Sequence, residues 1–518
     1  MNRLLICRLL GVIALLIGGA MTMSLPWALP IFGQADRFEA AGFFGLLGGM
    51  ALCGLVGGVL MFLGRKAAGN RLFRREAIAV VGLGWLMATL LGALPFWFSG
   101  ACTGYDGDGN GIRMGPFDGL FESASGFSGT GATVLTNVEK PQLISRAVLF
   151  WRSETHFLGG LGIMVLFVAI LGFGSAGKTL LLTEMPGPSH EATHSRSQRA
   201  AWNFAMIFIG LTAVLTVLLR LQGVCLFDSL CHAFGTIATG GFSTYNDSVE
   251  HFQSVGVEMT IAMFMIIACT NFTLLYLVLL RQPGKLWKDV EFRAYLLIMF
   301  SAAAVVIVAL RVDGNYTAWW RSARYGIFQV VSMMTNTGFG TADFNRWDSL
   351  SRATLFLLMF VGGCAGSTSC AVKVIRYVLF FKILGIEIER IYHPRVVRPV
   401  RLGGKPLESP DIRKEVVLYF GVIVVIFVIG WIALVAVEPD STWVEAGRPV
   451  GDKLIDCASA VAATLNGVGP GLGIVGESEN YAHFHWASKF ILTWMMLLGR
   501  LEVFVLLVLF VPRFWQGR

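Results

Sequence analysis

Charge is what this sequence has least of. Of 518 residues only 14% are Asp, Glu, Lys or Arg, against 55% hydrophobic, and the mean hydropathy is +0.67. That excludes an ordinary soluble domain and points to an integral membrane protein. The signatures of catalysis are missing too: there is no Walker A lysine, no HExxH and no GxSxG. Gly471 to Gly476 spells GxGxxG, but no strand of a βαβ unit precedes it, so it is not a nucleotide site. The nine cysteines form no CxxC pair or metal spacing. Cys7, Cys53, Cys269, Cys364 and Cys370 lie in or beside apolar runs, where a thiol behaves as a small hydrophobe. Cys225 and Cys231 sit near one another, but no disulfide is expected between them. The apolar spans also lack paired Asp/Glu or His ligands, which argues against a membrane enzyme or a proton-coupled site. The net charge of +8 is divided among blocks between apolar spans, which argues against a nucleic-acid partner.

Apolar runs long enough to cross a bilayer lie at about 9–30, 41–63, 77–98, 146–173, 202–221, 258–280, 294–310, 353–381, 416–437 and 486–511. The first is too long for a signal-peptide core and lacks a small-residue exit, so it reads as a transmembrane helix. Lys and Arg fall in blocks: Arg65 to Arg75; Lys178, Arg196 and Arg199; Arg281 to Arg293; and Lys373 through Arg376, Lys382, Arg390, Arg395, Arg398, Arg401 and Lys405 to Lys414. With an even number of crossings all of them lie on one side, which places both termini in the cytoplasm. Asp106, Asp108, Asp228, Asp247, Glu250, Glu438, Asp440 and Glu445 lie on the other side.

Between the long runs a short pattern recurs. Ser128-Gly129-Thr130-Gly131, Ala238-Thr239-Gly240-Gly241, Asn336-Thr337-Gly338 and Asn466-Gly467-Val468-Gly469 each end a weakly apolar segment; Asp118, Asp228 and Asp456 stand near the starts of the first, second and fourth. Four copies in equivalent places are an internal repeat. Non-helical backbone at membrane depth is tolerated only where protein or a water-filled cavity surrounds it. Glycine admits positive φ, so four such turns around an axis can present rings of carbonyls that replace a cation's hydration shell. The expected fold is therefore an all-α polytopic membrane protein. It has four helix–re-entrant pore segment–helix repeats around a pseudo-fourfold pore, preceded by an N-terminal two-helix hairpin. The expected boundaries are 1–70 for the hairpin and 71–200, 201–288, 289–408 and 409–518 for the repeats.

Two more features lie inside the membrane. The eighth run breaks at Gly362-Gly363-Cys364-Ala365-Gly366-Ser367-Thr368-Ser369, a composition that unwinds a helix, each glycine costing about 1 kcal/mol relative to alanine. Arg500 falls about fourteen residues into the last run, where an arginine costs at least ~2.5 kcal/mol and needs a partner. Glu502 lies on another face and is not the obvious mate. His156, at the start of an apolar run beside Gly159-Gly160, reads as a packed histidine rather than a ligand.

These segments resemble the Trk/Ktr/HKT superfamily of potassium transporters. Phe121 to Leu135 is similar to its first pore segment, Ala238 to Thr244 and Asn336 to Gly340 to the second and third, and Val468 to Gly473 to the fourth. The N-terminal hairpin places the resemblance nearest the TrkH/TrkG branch. The resemblance implies a K+-conducting pore subunit in a bacterial inner membrane, dimeric, without covalent cofactor, and served by a TrkA-type cytoplasmic regulator that alone carries nucleotide. It maps the K+ filter to Thr130, Gly131, Thr239, Gly240, Thr337, Gly338, Val468 and Gly469. It maps an intramembrane gate to Gly362, Gly363, Ala365, Gly366, Ser367 and Thr368, with Arg500 as the charge beneath the filter. Ser128 and Gly129 stand where the superfamily often has two threonines, and Gly467 precedes Val468. Mixed K+/Na+ passage and a purely structural scaffold are the competing readings, and the scaffold leaves the fourfold repeat unexplained.

Overall fold

The computed structural model describes the chain except residues 31–36, 68–72, 106–107, 171–193, 395–398, 404, 407–411 and 517–518. Only the backbone is described for 74, 163–170, 194–201, 405–406 and 412. Arg71, Lys178, Arg395 and Arg398 of the basic blocks, and Asp106 of the acidic set, therefore lie outside the described residues. Helices dominate; among the described residues the strands are two short hairpins, Cys102–Tyr105 with Gly111–Arg113 and Arg401–Leu402 with Lys405–Pro406. The nine cysteines are free thiols.

Helices α1 (Arg3–Ala20) and α2 (Ala40–Gly64) form the N-terminal hairpin. Their backbones touch because Gly11 and Gly57 face each other, and a Cβ on Gly11 would stand 2.8 Å from the Gly57 carbonyl. Small residues at helix contacts are how membrane helices gain close packing. Helix α3 (Arg74–Gly92) then opens a unit that repeats: a long helix, a short buried pore helix, an extended strand, and a second helix. The pore helices are α4 (Pro116–Ser128), α7 (Leu226–Ile237), α11 (Trp319–Met334) and α15 (Lys453–Asn466).

The two long helices of each unit behave differently. Among the described residues six helices are long and apolar enough to cross a membrane: Arg3–Met23, Ala40–Gly64, Arg75–Phe98, Trp202–Leu221, Val290–Val312 and Arg413–Val437. These are the hairpin and the helix before each pore segment. Every helix after a pore segment is interrupted: the eighth run breaks where Gly362 to Ser369 led us to expect it, and the breaks in the fourth, sixth and tenth runs correct the expectation that those spans are continuous. Helix α5 (Arg146–Ile170) bends at Gly162, where φ is 67° and ψ 155°. Helices α8 (Val255–Ala268) and α9 (Phe272–Leu279) meet at 104°. Helices α12 (Ser349–Leu358) and α13 (Val374–Tyr392) flank a non-helical stretch. Helices α16 (Trp486–Arg500) and α17 (Phe504–Leu509) are separated by Glu502 and Val503, both at positive φ.

Hydropathy cannot report these breaks, because the freed backbone groups find protein partners. The α8–α9 break leaves the carbonyls of Ala268 and Cys269 without helical donors. They accept from the Thr368 hydroxyl (3.2 Å) and the Cys364 amide (2.9 Å), both on the loop between α12 and α13. In return the Phe272 amide donates to Gly366 (3.1 Å). Two broken helices thus satisfy each other, as irregular backbone within a membrane protein must.

Candidate functional site

Each pore helix ends in the same backbone sequence: a residue at positive φ, a residue that is not, and a second residue at positive φ. The first positions are Gly129 (φ 69°), Thr239 (55°), Asn336 (57°) and Gly467 (66°). The last are Gly131 (82°), Gly241 (79°), Gly338 (75°) and Gly469 (92°). Between them lie Thr130, Gly240, Thr337 and Val468. The four strands close on one another in order. A Cβ added at Gly131 would overlap the carbonyl of Gly240, one at Gly241 that of Thr337, one at Gly338 that of Val468, and one at Gly469 that of Thr130. That cycle returns to its start, so the repeats surround a single axis.

By backbone position the second copy is one residue out of the expected register: Gly240, not Thr239, stands where Thr130, Thr337 and Val468 stand, and Gly241, not Gly240, stands where Gly131 stands. The physical reason is the conformational pattern: Thr239 occupies the first left-handed position, and the bulkless Gly241 the crowded second one. With that shift Asp118, Asp228 and Asp456 all fall thirteen residues before their filter glycine. Gly240 turns its Cα toward His156, whose imidazole a Cβ there would strike.

The strands are held from behind by side chains. Glu122, fully buried, accepts from the Thr133 hydroxyl (2.9 Å), the Val134 amide (3.0 Å) and Arg152 Nε (2.5 Å). Arg152 also donates to the Ser243 carbonyl of the second strand (3.1 Å) and lies 3.4 Å over the Phe242 ring. His156 bonds the Gly126 carbonyl through Nδ1 (2.7 Å) and accepts the Phe242 amide at Nε2 (3.1 Å), so it is a packed strut, as expected. His232 bonds the Ser243 hydroxyl (3.0 Å), and Gln329 donates to the Ala342 carbonyl (2.9 Å). Glu122, His232, Gln329 and Ala460 each stand nine residues before their filter glycine. That spacing, counted from Gly241, is the signal that would have revealed the supports in the sequence.

On the side that the expected topology makes the outer one, the four glycines of the last position line a cavity together with Thr133, Tyr245, Glu477, Glu479 and Tyr481. On the side that it makes the inner one, a second cavity is lined by Gly366, Ser367, Thr368, Ser369, Lys373, Arg500 and Glu502, together with Gly160 to Gly162 of α5. Arg500 donates to the carbonyls of Gly159 (2.6 Å) and Thr368 (2.9 Å) and to the Cys370 sulfur (3.4 Å). Cys370 in turn bonds the Ser128 carbonyl at the foot of the first strand (3.3 Å). Gly362, Gly363 and Ala365, expected in the gate, do not line this cavity. Gly362 bonds the Val372 carbonyl (3.0 Å), Gly363 bonds the Ser369 hydroxyl (2.8 Å), and the Ala365 amide bonds Glu291 (2.7 Å).

Two residues of the large basic block are not on the surface. Lys373 is buried and donates to both oxygens of Ser369, and Arg376 pairs with Glu502 (2.6 Å) and covers the Tyr419 ring. The sequence placed both in a block of Lys and Arg on the cytoplasmic side. Glu502 has its mate there, and Arg500 relies on carbonyls and sulfur.

Four re-entrant strands closing around one axis, inside a shell of apolar helices, define a polytopic membrane protein built around a pore. The sequence profile of the TrkH family, described as a cation transport protein, matches residues 46–517, and the chain belongs to that family. The Trk system potassium uptake protein TrkH of Escherichia coli K12 is 34% identical over 514 residues, 99% of each chain. TrkG of the same organism is 30% identical over 458 residues, 87% of this chain and 88% of its own. The crystal structure of the potassium transporter TrkH from Vibrio parahaemolyticus matches with a TM-score of 0.83 at 30% identity, covering 100% of both chains.

Proposed function

We propose that this chain takes up potassium through the fourfold pore, with the carbonyls of Thr130, Gly240, Thr337 and Val468 forming a ring that replaces the hydration shell of K+. The cyclic contact of each filter glycine with the next strand's carbonyl carries this reading. Relatives named as potassium uptake proteins along the whole length support it. The ion is cargo, and no cofactor or covalent step enters.

In this reading the chain is an inner-membrane protein with both termini cytoplasmic, forms a homodimer, and answers to a TrkA-type regulator that binds the nucleotide. Arg390 and Arg401 are partly or fully exposed and suit an acidic docking surface. The loop from Gly362 to Ser369 acts as the gate, its Thr368 end tied to Arg500. A fixed positive charge beneath the filter raises the barrier to K+, and the loop narrows the same path.

Expression in a bacterium lacking K+ uptake tests the function: growth at low external K+ should return, with little Na+ entry in parallel. No K+ flux from inserted protein would overturn it. Arg500→Ala should raise K+ flux per inserted molecule; normal or reduced flux would remove the gate and leave the pore.

A further inference from the structure

The outer ends of the four strands are not equivalent. Carbonyls of Gly131, Gly241 and Gly338 accept no hydrogen bond among the described residues, whereas that of Gly469 accepts one from the phenol of Tyr481 (2.8 Å). Tyr481 belongs to the loop that returns from the fourth strand, and only 2% of it is exposed. Its own amide donates to the Thr133 carbonyl of the first strand (2.8 Å). Its ring packs on Phe121 of the first pore helix (centroids 5.3 Å) and on Phe484 (5.8 Å). One residue therefore fastens the fourth strand to the first, at the seam where the cycle of repeats closes.

We propose that Tyr481 is a specificity-setting residue of the pore: its hydroxyl fixes the carbonyl of Gly469 in the outermost ring and so favours K+ over Na+. This rests on the reading of the four strands as a K+ filter. Discrimination between the two ions depends on how many carbonyl dipoles face the ion, how strong their field is and how freely they move. A carbonyl has two lone pairs, so the phenol occupies one and leaves the other for an ion. The bond also fixes the direction of that second lone pair. Gly469, at φ 92°, has no side chain, and Pro470 after it narrows the range of its carbonyl without fixing its direction. Without the phenol, this carbonyl can shift within that range toward a smaller ion, and the outer site loses its preference for the larger one.

Tyr481→Phe tests this directly, since it deletes one oxygen and keeps the ring stacked on Phe121 and Phe484. The K+/Na+ uptake ratio should fall roughly three- to tenfold, the factor carried by one hydrogen bond. The K+ concentration for half-maximal uptake should rise, with maximal K+ flux per inserted molecule little changed. Phe484→Leu is the companion variant: it loosens the ring packing and keeps the hydroxyl, so it should lower the amount of inserted protein and leave the ratio alone. An unchanged ratio in Tyr481→Phe, or an equal fall in Phe484→Leu, would overturn the proposal. If Tyr481→Phe inserts poorly, the test still stands, because the K+/Na+ ratio is independent of the amount of inserted protein. Failure of the underlying reading looks different: the wild-type chain itself would then show no preference for K+.

Discussion

The first and third pore strands trace the same backbone, yet opposite kinds of chemistry hold them. Behind the first lies a fully buried ion pair, Glu122 with Arg152, whose carboxylate also binds the strand's Thr133 and Val134. Behind the third, at the same distance from its filter glycine, lies the neutral amide of Gln329, which binds Ala342 and reaches Glu477 of the fourth strand (2.7 Å). The fourth has Ala460 at that place and leans on Ser459 and Asp456, which bind the amides of Leu472 (2.9 Å) and Ile474 (3.3 Å). Backbone conformation is thus what the repeats share, and each found its own way to fix it. A ring of carbonyls needs φ and ψ to repeat; it needs nothing of the side chains behind it except rigidity.

The largest effect should come from breaking the charged support. Removing one partner of a buried pair leaves an uncompensated charge and costs about 3–5 kcal/mol. Glu122→Ala is expected to lose that much stability, and Gln329→Ala about 1–3 kcal/mol, the cost of a buried polar group left unsatisfied. Denaturant unfolding of purified protein in detergent measures both. Replacing the pair together, Glu122→Gln with Arg152→Met, should recover most of the loss, because it imitates the amide of the third strand. Equal losses for Glu122→Ala and Gln329→Ala would erase the distinction between the two strands.

A second experiment sharpens the shared backbone. Gly241 needs positive φ and abuts the Thr337 backbone, whereas Gly240 has no positive φ and meets a side chain, the His156 imidazole, rather than backbone. Left-handed backbone costs an L-residue about 1–2 kcal/mol before any overlap. Gly241→Ala should therefore abolish K+-selective uptake, and Gly240→Ala should retain part of it. The reverse order would return the register to Thr239-Gly240.

That register shows where the sequence could be read and where it could not. Glycine-bearing turns at equivalent places were legible, and so were Arg500 and the unwinding composition of Gly362 to Ser369. Two adjacent glycines left the second copy ambiguous by one residue. Thr239 then looked like Thr130 when its conformation is that of Gly129. The breaks in the other helices after the strands went unread: 258–280 is mostly apolar, Thr270 and Asn271 are the only polar residues at its bend, and what holds the bend is a loop a hundred residues away. Lys373 was concealed by its neighbours in a basic run. The supports Arg152 and Tyr481 were concealed because each acts across repeats, where no local pattern reports a partner.

The smallest expected effect lies at the outer mouth, where the third and fourth strands meet. Glu477 sits in the loop outside the membrane-spanning helices and lines the outer cavity. Burial pushes its carboxyl well above the usual carboxylate range; the Gln329 bond opposes this, and Glu250, Asp343 and Asp247 add to it. A raised value means the proton is kept further up the pH scale and released as external pH rises. The ionised form adds a negative charge beside the entrance, which attracts cations. K+ uptake at low external K+ should therefore climb with external pH, by about twofold, since salt screens a single charge over ~8 Å. Glu477→Gln should flatten that rise and hold uptake near its acid-side level. Gln329→Leu should move the rise to higher pH, because it removes the donor that favours the charged carboxylate. Among the described residues the first strand brings no carboxylate to that cavity, so Glu122→Gln should leave the pH profile of whatever flux remains unchanged. A rise that persists in Glu477→Gln would show that proton sensitivity, if present, belongs to another group.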